Sequence, residues 1–233
     1  MAQVTEVIIL LDRSGSMAAI QEATVRGINN FINDVNKVPG EGYWSFYQFD
    51  DPASALGAKE AFPHTVFERV HYREVPRLEA KDFLPRNSTA LVDATCLTIQ
   101  KVRERYLASP ESRRPRVLIV IMTDGMENAS RQFTADQMRQ LIAEVQSSYK
   151  WEFIYLGANQ DTFAVAKDYG VKTSQAFHYT ANAIGTTAVL ASGAVCARGW
   201  KAEGNKSVDP LMGSSQPDVQ VNVNINQGTG VWP

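Results

Sequence analysis

Cysteine and histidine are scarce here, two of the first and three of the second in 233 residues. Cys96 and Cys196 both fall in apolar helical stretches, which fits reduced core thiols of a cytoplasmic protein better than a disulfide. His64 and His71 lie on or beside a charged strand pattern, and together with His178 they offer no base for a serine nucleophile, so a hydrolase triad is not found. No apolar run approaches the roughly 20 residues of a membrane span, and the opening residues carry neither a basic flank nor a small-residue cleavage site. Charge of one sign is missing too: 23 Lys and Arg face 25 Asp and Glu, a formal net charge of -2. That balance leaves no electrostatic footprint for nucleic acid, and the basic run SRRPR at 112–116 reads as a solvated connection.

What the chain does have is 44% hydrophobic residues, enough for one sizeable core. Strand-like apolar runs alternate with helix-period stretches, the pattern of an α/β fold with a mainly parallel sheet. Strands are expected at about 4–11, 43–49, 64–72, 116–122, 151–157 and 174–179. The third carries enough charge to be an edge strand, and the fourth, RVLIVIM, is apolar on both faces and reads as central. Helices are expected at about 18–38, 90–107, 134–148, 162–169 and 181–200. Thr134 and Gln137 form a capping box at the third of these, and the small-residue stretch at 181–200 reads as a helix lying flat on the sheet. After Lys201 the composition turns to Gly, Ser, Asn, Gln and Pro, so the domain is placed at 1–201 and a polar tail at 202–233. Within the tail, VQVNVNIN at 219–226 alternates as a strand does. A disordered tail is the plainer expectation; the sharper one is self-association, the segment pairing with another chain's sheet edge.

In such sheets ligands bind where the strands end at their carboxyl termini. Three polar clusters fall there: DRSGS (12–16), NSTALVDA (87–94) and TDG (123–125). All supply oxygen donors and none supplies His or Cys, so the expected cation is hard, Mg²⁺ with Mn²⁺ or Ca²⁺ as other occupants, and zinc is disfavoured. Ser14 and Ser16 share a side of an extended loop, with Gly15 between them letting the backbone bend close to an ion. Only Asp12 and Asp124 oppose the cation's charge, so with hydroxyls completing its shell it would still attract an outside carboxylate.

Asp12-x-Ser14-x-Ser16, then Thr89, then Asp124 in Thr-Asp-Gly resembles the metal-ion-dependent adhesion site of von Willebrand factor A (vWA) domains. The likeness runs over roughly residues 4–200, and in particular the chain looks like stand-alone bacterial and phage members, through TEVIILLDRSGSM, STALVDAT, VIMTDGMENASR and WEFIYLGANQD. It implies a Rossmann-like, mainly parallel sheet with one antiparallel edge strand and helices on both faces. It further implies that Ser14, Ser16 and Thr89 ligate the cation directly or exchange with water, while Asp12 and Asp124 hold it mostly through water. The implied function is a non-enzymatic, metal-dependent protein-binding module that takes an Asp or Glu from a partner protein, in the cytoplasm or as a phage particle component.

Asp50, Asp51, Glu127, Asn128, Asn159, Gln160 and Asp161 are candidates for a partner-reading rim, although polar residues at strand ends are also ordinary turn formers. Asp93 reads as support for the Thr89 loop or its helix start. A phosphoryl-transferring hydrolase would need a second carboxylate where Ser14 stands, and GEGYWS at 40–45 precedes a strand where a dinucleotide loop would follow one. No catalytic residue is assigned. The structural alternative is a subunit of a larger assembly that uses the tail strand.

Overall fold

The computed structural model describes residues 4–52 and 61–203. Its strands are β1 (Thr5–Asp12), β2 (Gly42–Phe49), β3 (His64–His71), β4 (Arg116–Thr123), β5 (Glu152–Ala158) and β6 (Ala176–Tyr179). They form one sheet in the order β3-β2-β1-β4-β5-β6, parallel throughout except for β3, which pairs antiparallel with β2 at one edge. The helices are α1 (Gln21–Asn36), α2 (Leu91–Ala108), α3 (Ala135–Tyr149), α4 (Thr162–Asp168) and α5 (Ala183–Glu203).

Every residue of β1 is buried, because alternate side chains feed opposite cores. Val7, Ile9 and Leu11 pack with α1 and α5 through Ile28, Phe31, Val189 and Leu190. Ile8 and Leu10 face α2 and α3 through Ile99, Val102, Met138 and Ile142. Central parallel strands covered by helices on both faces therefore read as unbroken apolar runs. Glycines on both helices let α5 approach α1 and the sheet: a Cβ on Gly27 of α1 would sit 2.4 Å from Leu190 Cδ1, and one on Gly193 of α5 would meet Leu156 and Phe31 at 3.4 Å. Cys96 and Cys196 are free thiols on opposite layers, and burial pushes Cys96 up to about 12.

The register between β1 and β4 pairs Leu11 with Met122, so the loops after Asp12 and Thr123 leave the sheet side by side. The chain does not enter α1 at once. A 3-10 turn, Gly15–Ile20, comes first, burying Met17 and Ile20 beneath it. α5 continues two residues past the expected domain end at Lys201; the rest of the tail, with its strand-like segment at 219–226, lies outside the described residues. Among the described residues, no helix is long and apolar enough to cross a membrane.

Candidate metal centre

Asp12 is the last residue of β1 and is fully buried. Its Oδ1 accepts the Ser14 N–H at 2.6 Å, and its Oδ2 accepts the Thr123 hydroxyl at 2.6 Å. Ser14, extended at φ -60° and ψ 163°, presents its hydroxyl 3.2 Å from that of Ser16. Ser16 in turn donates to Asp124 Oδ1 at 2.6 Å. Thr89, buried at the entry to α2, completes the group: a Cβ built on Gly125 would lie 3.5 Å from Thr89 Oγ1 and 3.9 Å from Ser16 Oγ. The glycine of TDG thus leaves a space that both hydroxyls border. Gly15 N–H donates to Asn87 O at 3.0 Å, and a Cβ there would meet nothing closer than 3.6 Å.

Electrostatics set this cluster apart. Burial pushes the Asp12 carboxyl up to about 7, against the hydrogen bonds from Thr123 and Ser14 that favour its ionised form; the charge of Asp124 raises it further. Asp124 is raised as well, again chiefly by burial, while its bond from Ser16 pulls the other way. Two desolvated carboxylates bordered by three hydroxyls suit a hard cation, which would favour both ionised forms. Among the described residues, no group of three or more His, Cys, Asp or Glu stands together as a metal site, so here the two carboxylates would have to be joined by the hydroxyls.

The rim candidates divide. Asp50 is no rim residue: it is buried, with Oδ1 3.4 Å from Arg13 Nη2 and Oδ2 accepting Arg86 Nε at 2.7 Å. Glu127 also turns inward, because backbone N–H groups at the start of α2 and in its own loop need an acceptor; it takes those of Val92, Ala129 and Ser130 at 2.7–2.9 Å. Asn128 is exposed yet accepts the Thr89 N–H at 2.9 Å. Asp51 stands 4.0 Å from Arg131. Asn159 is exposed in a left-handed conformation, φ 56°, and donates to Asp124 O at 2.7 Å. Gln160 donates to the Tyr155 hydroxyl, and exposed Asp161 caps α4 through the Ala164 N–H.

Asp93 lies where the Thr89 loop needs support: its fully buried carboxylate accepts the N–H groups of Arg131, Gln132 and Phe133 at 2.7–3.0 Å. Two contributors had no assigned role in the sequence. Thr123, quoted within TDG, holds Asp12, and buried Tyr179 at the end of β6 donates to Thr123 O at 3.3 Å. A hydroxyl at the end of a central strand was the available signal for Thr123; nothing local marks Tyr179.

No family model matches the sequence, and no curated protein is similar to it. Solved structures are similar in fold. The SpRpn10 VWA domain superposes with a TM-score of 0.56 at 13% identity, over 81% of this chain and 94% of that one. Manganese-loaded TRAP protein from Plasmodium vivax gives 0.50 at 13%, over 81% and 72%. Proximal thread matrix protein 1 from the mussel byssus gives 0.56 at 12%, over 84% of this chain but 47% of that one, so the chain spans about half the length of the mussel protein. At such identities the likeness establishes architecture, and the architecture is the vWA fold.

Proposed function

We propose that this vWA fold serves as a non-enzymatic protein-binding module dependent on a divalent cation, with Asp12, Ser14, Ser16, Thr89 and Asp124 as the residues that hold Mg²⁺, or Mn²⁺ or Ca²⁺ in its place. When bound, the cation supplies a Lewis-acidic position for an Asp or Glu of a partner protein. One observation carries the reading: five oxygen donors from three separate loops converge at the carboxyl edge of the sheet, two of them buried carboxylates with no lysine or arginine among the described residues bonded to them. A buried carboxylate without a cationic partner is costly, and a cation at this place removes the cost. That a structural neighbour is described as manganese-loaded agrees with the choice of ion. The chain's own residues do the positioning: Thr123 fixes the Asp12 carboxylate, and Ser16 fixes that of Asp124.

Binding to the native state alone stabilises by mass action, about 2.7 kcal/mol at a hundredfold excess over Kd. For a domain of this size that corresponds to a rise in Tm on the order of 5 to 10 °C. Melting curves in Mg²⁺ or Mn²⁺ and in EDTA are therefore expected to separate for the wild type and to coincide for Asp12→Ala and Asp124→Ala. An unchanged metal response in both variants removes the assignment. Partner capture from the native host, run in Mg²⁺ and in EDTA, tests the second half; recovery of the same proteins in both counts against a cation-mediated contact.

A further inference from the structure

The five donors lie on segments far apart in sequence, and those segments are bonded to one another more densely than the donors themselves. Residues 86–90 are the hub. Arg86 N–H donates to Arg13 O at 2.7 Å, Gly15 N–H to Asn87 O at 3.0 Å, and Ala90 N–H to Asp50 O at 3.2 Å. The Asp50 carboxylate holds the same hub by its side chains, accepting from Arg86 Nε and from Asn87 Nδ2.

Toward Asp124 the lacing is tighter. Thr89 is gripped through both backbone groups: its N–H donates to Asn128 Oδ1 at 2.9 Å, and its carbonyl accepts the N–H groups of Asn128 and Ala129, each at 3.1 Å. One turn on, Glu127 accepts the Val92 N–H at 2.8 Å, and Ser130 Oγ accepts that of Asp93 at 3.0 Å while donating to Glu127 Oε2 at 2.8 Å. The Asp93 carboxylate returns the grip on residues 131–133. Two carboxylates, one from each segment, thus accept backbone N–H groups across the junction, and bonds to ionised acceptors are the stronger class. Thr89 has no path away from the Asp124 loop that leaves these bonds intact.

We infer that Asn128, Glu127 and Asp93 are positioning residues that fix Thr89 against Asp124, so that this half of the centre is formed before a cation or partner arrives. The inference rests on the cation reading above and deepens it: affinity draws on a geometry already in place, and residues 89–93 do not rearrange on binding. Asn128 is the informative member, because its exposed side chain can be truncated without opening the core.

The test is isothermal titration with Mn²⁺ on the wild type, Asn128→Ala, Asn128→Asp and Thr89→Ala, together with residue-resolved amide exchange by NMR in EDTA. Asn128→Ala is expected to weaken Mn²⁺ binding by about tenfold or more, the range for residues that orient metal ligands, and to speed exchange of the Thr89 amide. Asn128→Asp keeps an oxygen acceptor and is expected to slow that exchange again in EDTA, where no cation responds to the added charge. Should Asn128→Ala fail to fold, Ser130→Ala, which removes the bond to the Asp93 N–H, is read in the same way. Wild-type affinity in Asn128→Ala beside lost binding in Thr89→Ala overturns the positioning role and leaves the cation reading standing. No Mn²⁺ binding by the wild type overturns both.

Discussion

Asp12 accepts two hydrogen bonds that favour its ionised form, and burial still outweighs them. The consequence for stability has a definite sign in the metal-free protein. With an unfolded value of about 3.9 and a folded value of about 7, the native state binds more protons than the unfolded one between those limits. Stability from this group therefore falls as pH rises from about 4 to about 7 and is flat above. In EDTA, Asp12→Asn is expected to be more stable than the wild type at pH 8, by roughly 2 to 4 kcal/mol, with the difference gone near pH 4. Urea denaturation of both proteins across that range checks it, and a difference that does not vary with pH refutes it. Asp12, Ser14, Ser16 and Asp124 are singled out in the sequence by short motifs at the ends of apolar runs and Thr89 by one entering a helix, and their convergence in the fold supports the proposed site. The inward turn of Asp50 and Glu127 was not legible there, because the groups that claim their carboxylates include Arg86 and Val92, 36 and 35 residues away.

Six strands appear within a residue or two of expectation, and the charged strand is indeed the antiparallel edge. The Thr134 and Gln137 capping box is present, with bonds of 3.3 and 2.8 Å. The start of α1 was misplaced for a physical reason: Met17 and Ile20 are three apart, and that spacing buries both in a 3-10 turn as readily as in an α-helix. A larger gap concerns β1. Its Glu6, only 2% exposed, interrupts an apolar strand and is bonded to Arg105 of α2, which also reaches Glu68 of β3 at 2.7 Å. Arg105→Met is expected to cost about 3 to 5 kcal/mol by leaving Glu6 buried without its cation. Adding Glu6→Gln to it should recover part of the loss, and urea midpoints of the two single variants and the double variant measure the coupling.

At the scale of the whole molecule, the described residues form one sheet with helices on both faces, and the last of these helices ends at Glu203. A chain ending at Glu203 is therefore expected to fold and to keep its melting response to Mg²⁺. Light scattering on both lengths tests the tail's proposed part in assembly. A smaller oligomer after truncation favours strand exchange through 219–226, an unchanged mass counts against it, and loss of folding places the domain boundary further on.

α5 is the longest of the described helices. It starts just after β6, beside the loops that carry the donors, and runs back across the sheet until Trp200 meets Arg116 at the first residue of β4, 4.5 Å from guanidinium carbon to ring centre. β1 begins at that same far end, bonded there through Val4 O to the Arg116 N–H. Both outer ends of the described body thus emerge opposite the proposed metal centre, separated from it by the length of an eight-residue strand, roughly 26 Å. A sensor chip, bead or fluorophore coupled at either end leaves the loops that carry the five residues uncovered, whereas the same label on residues 86–90 would cover them.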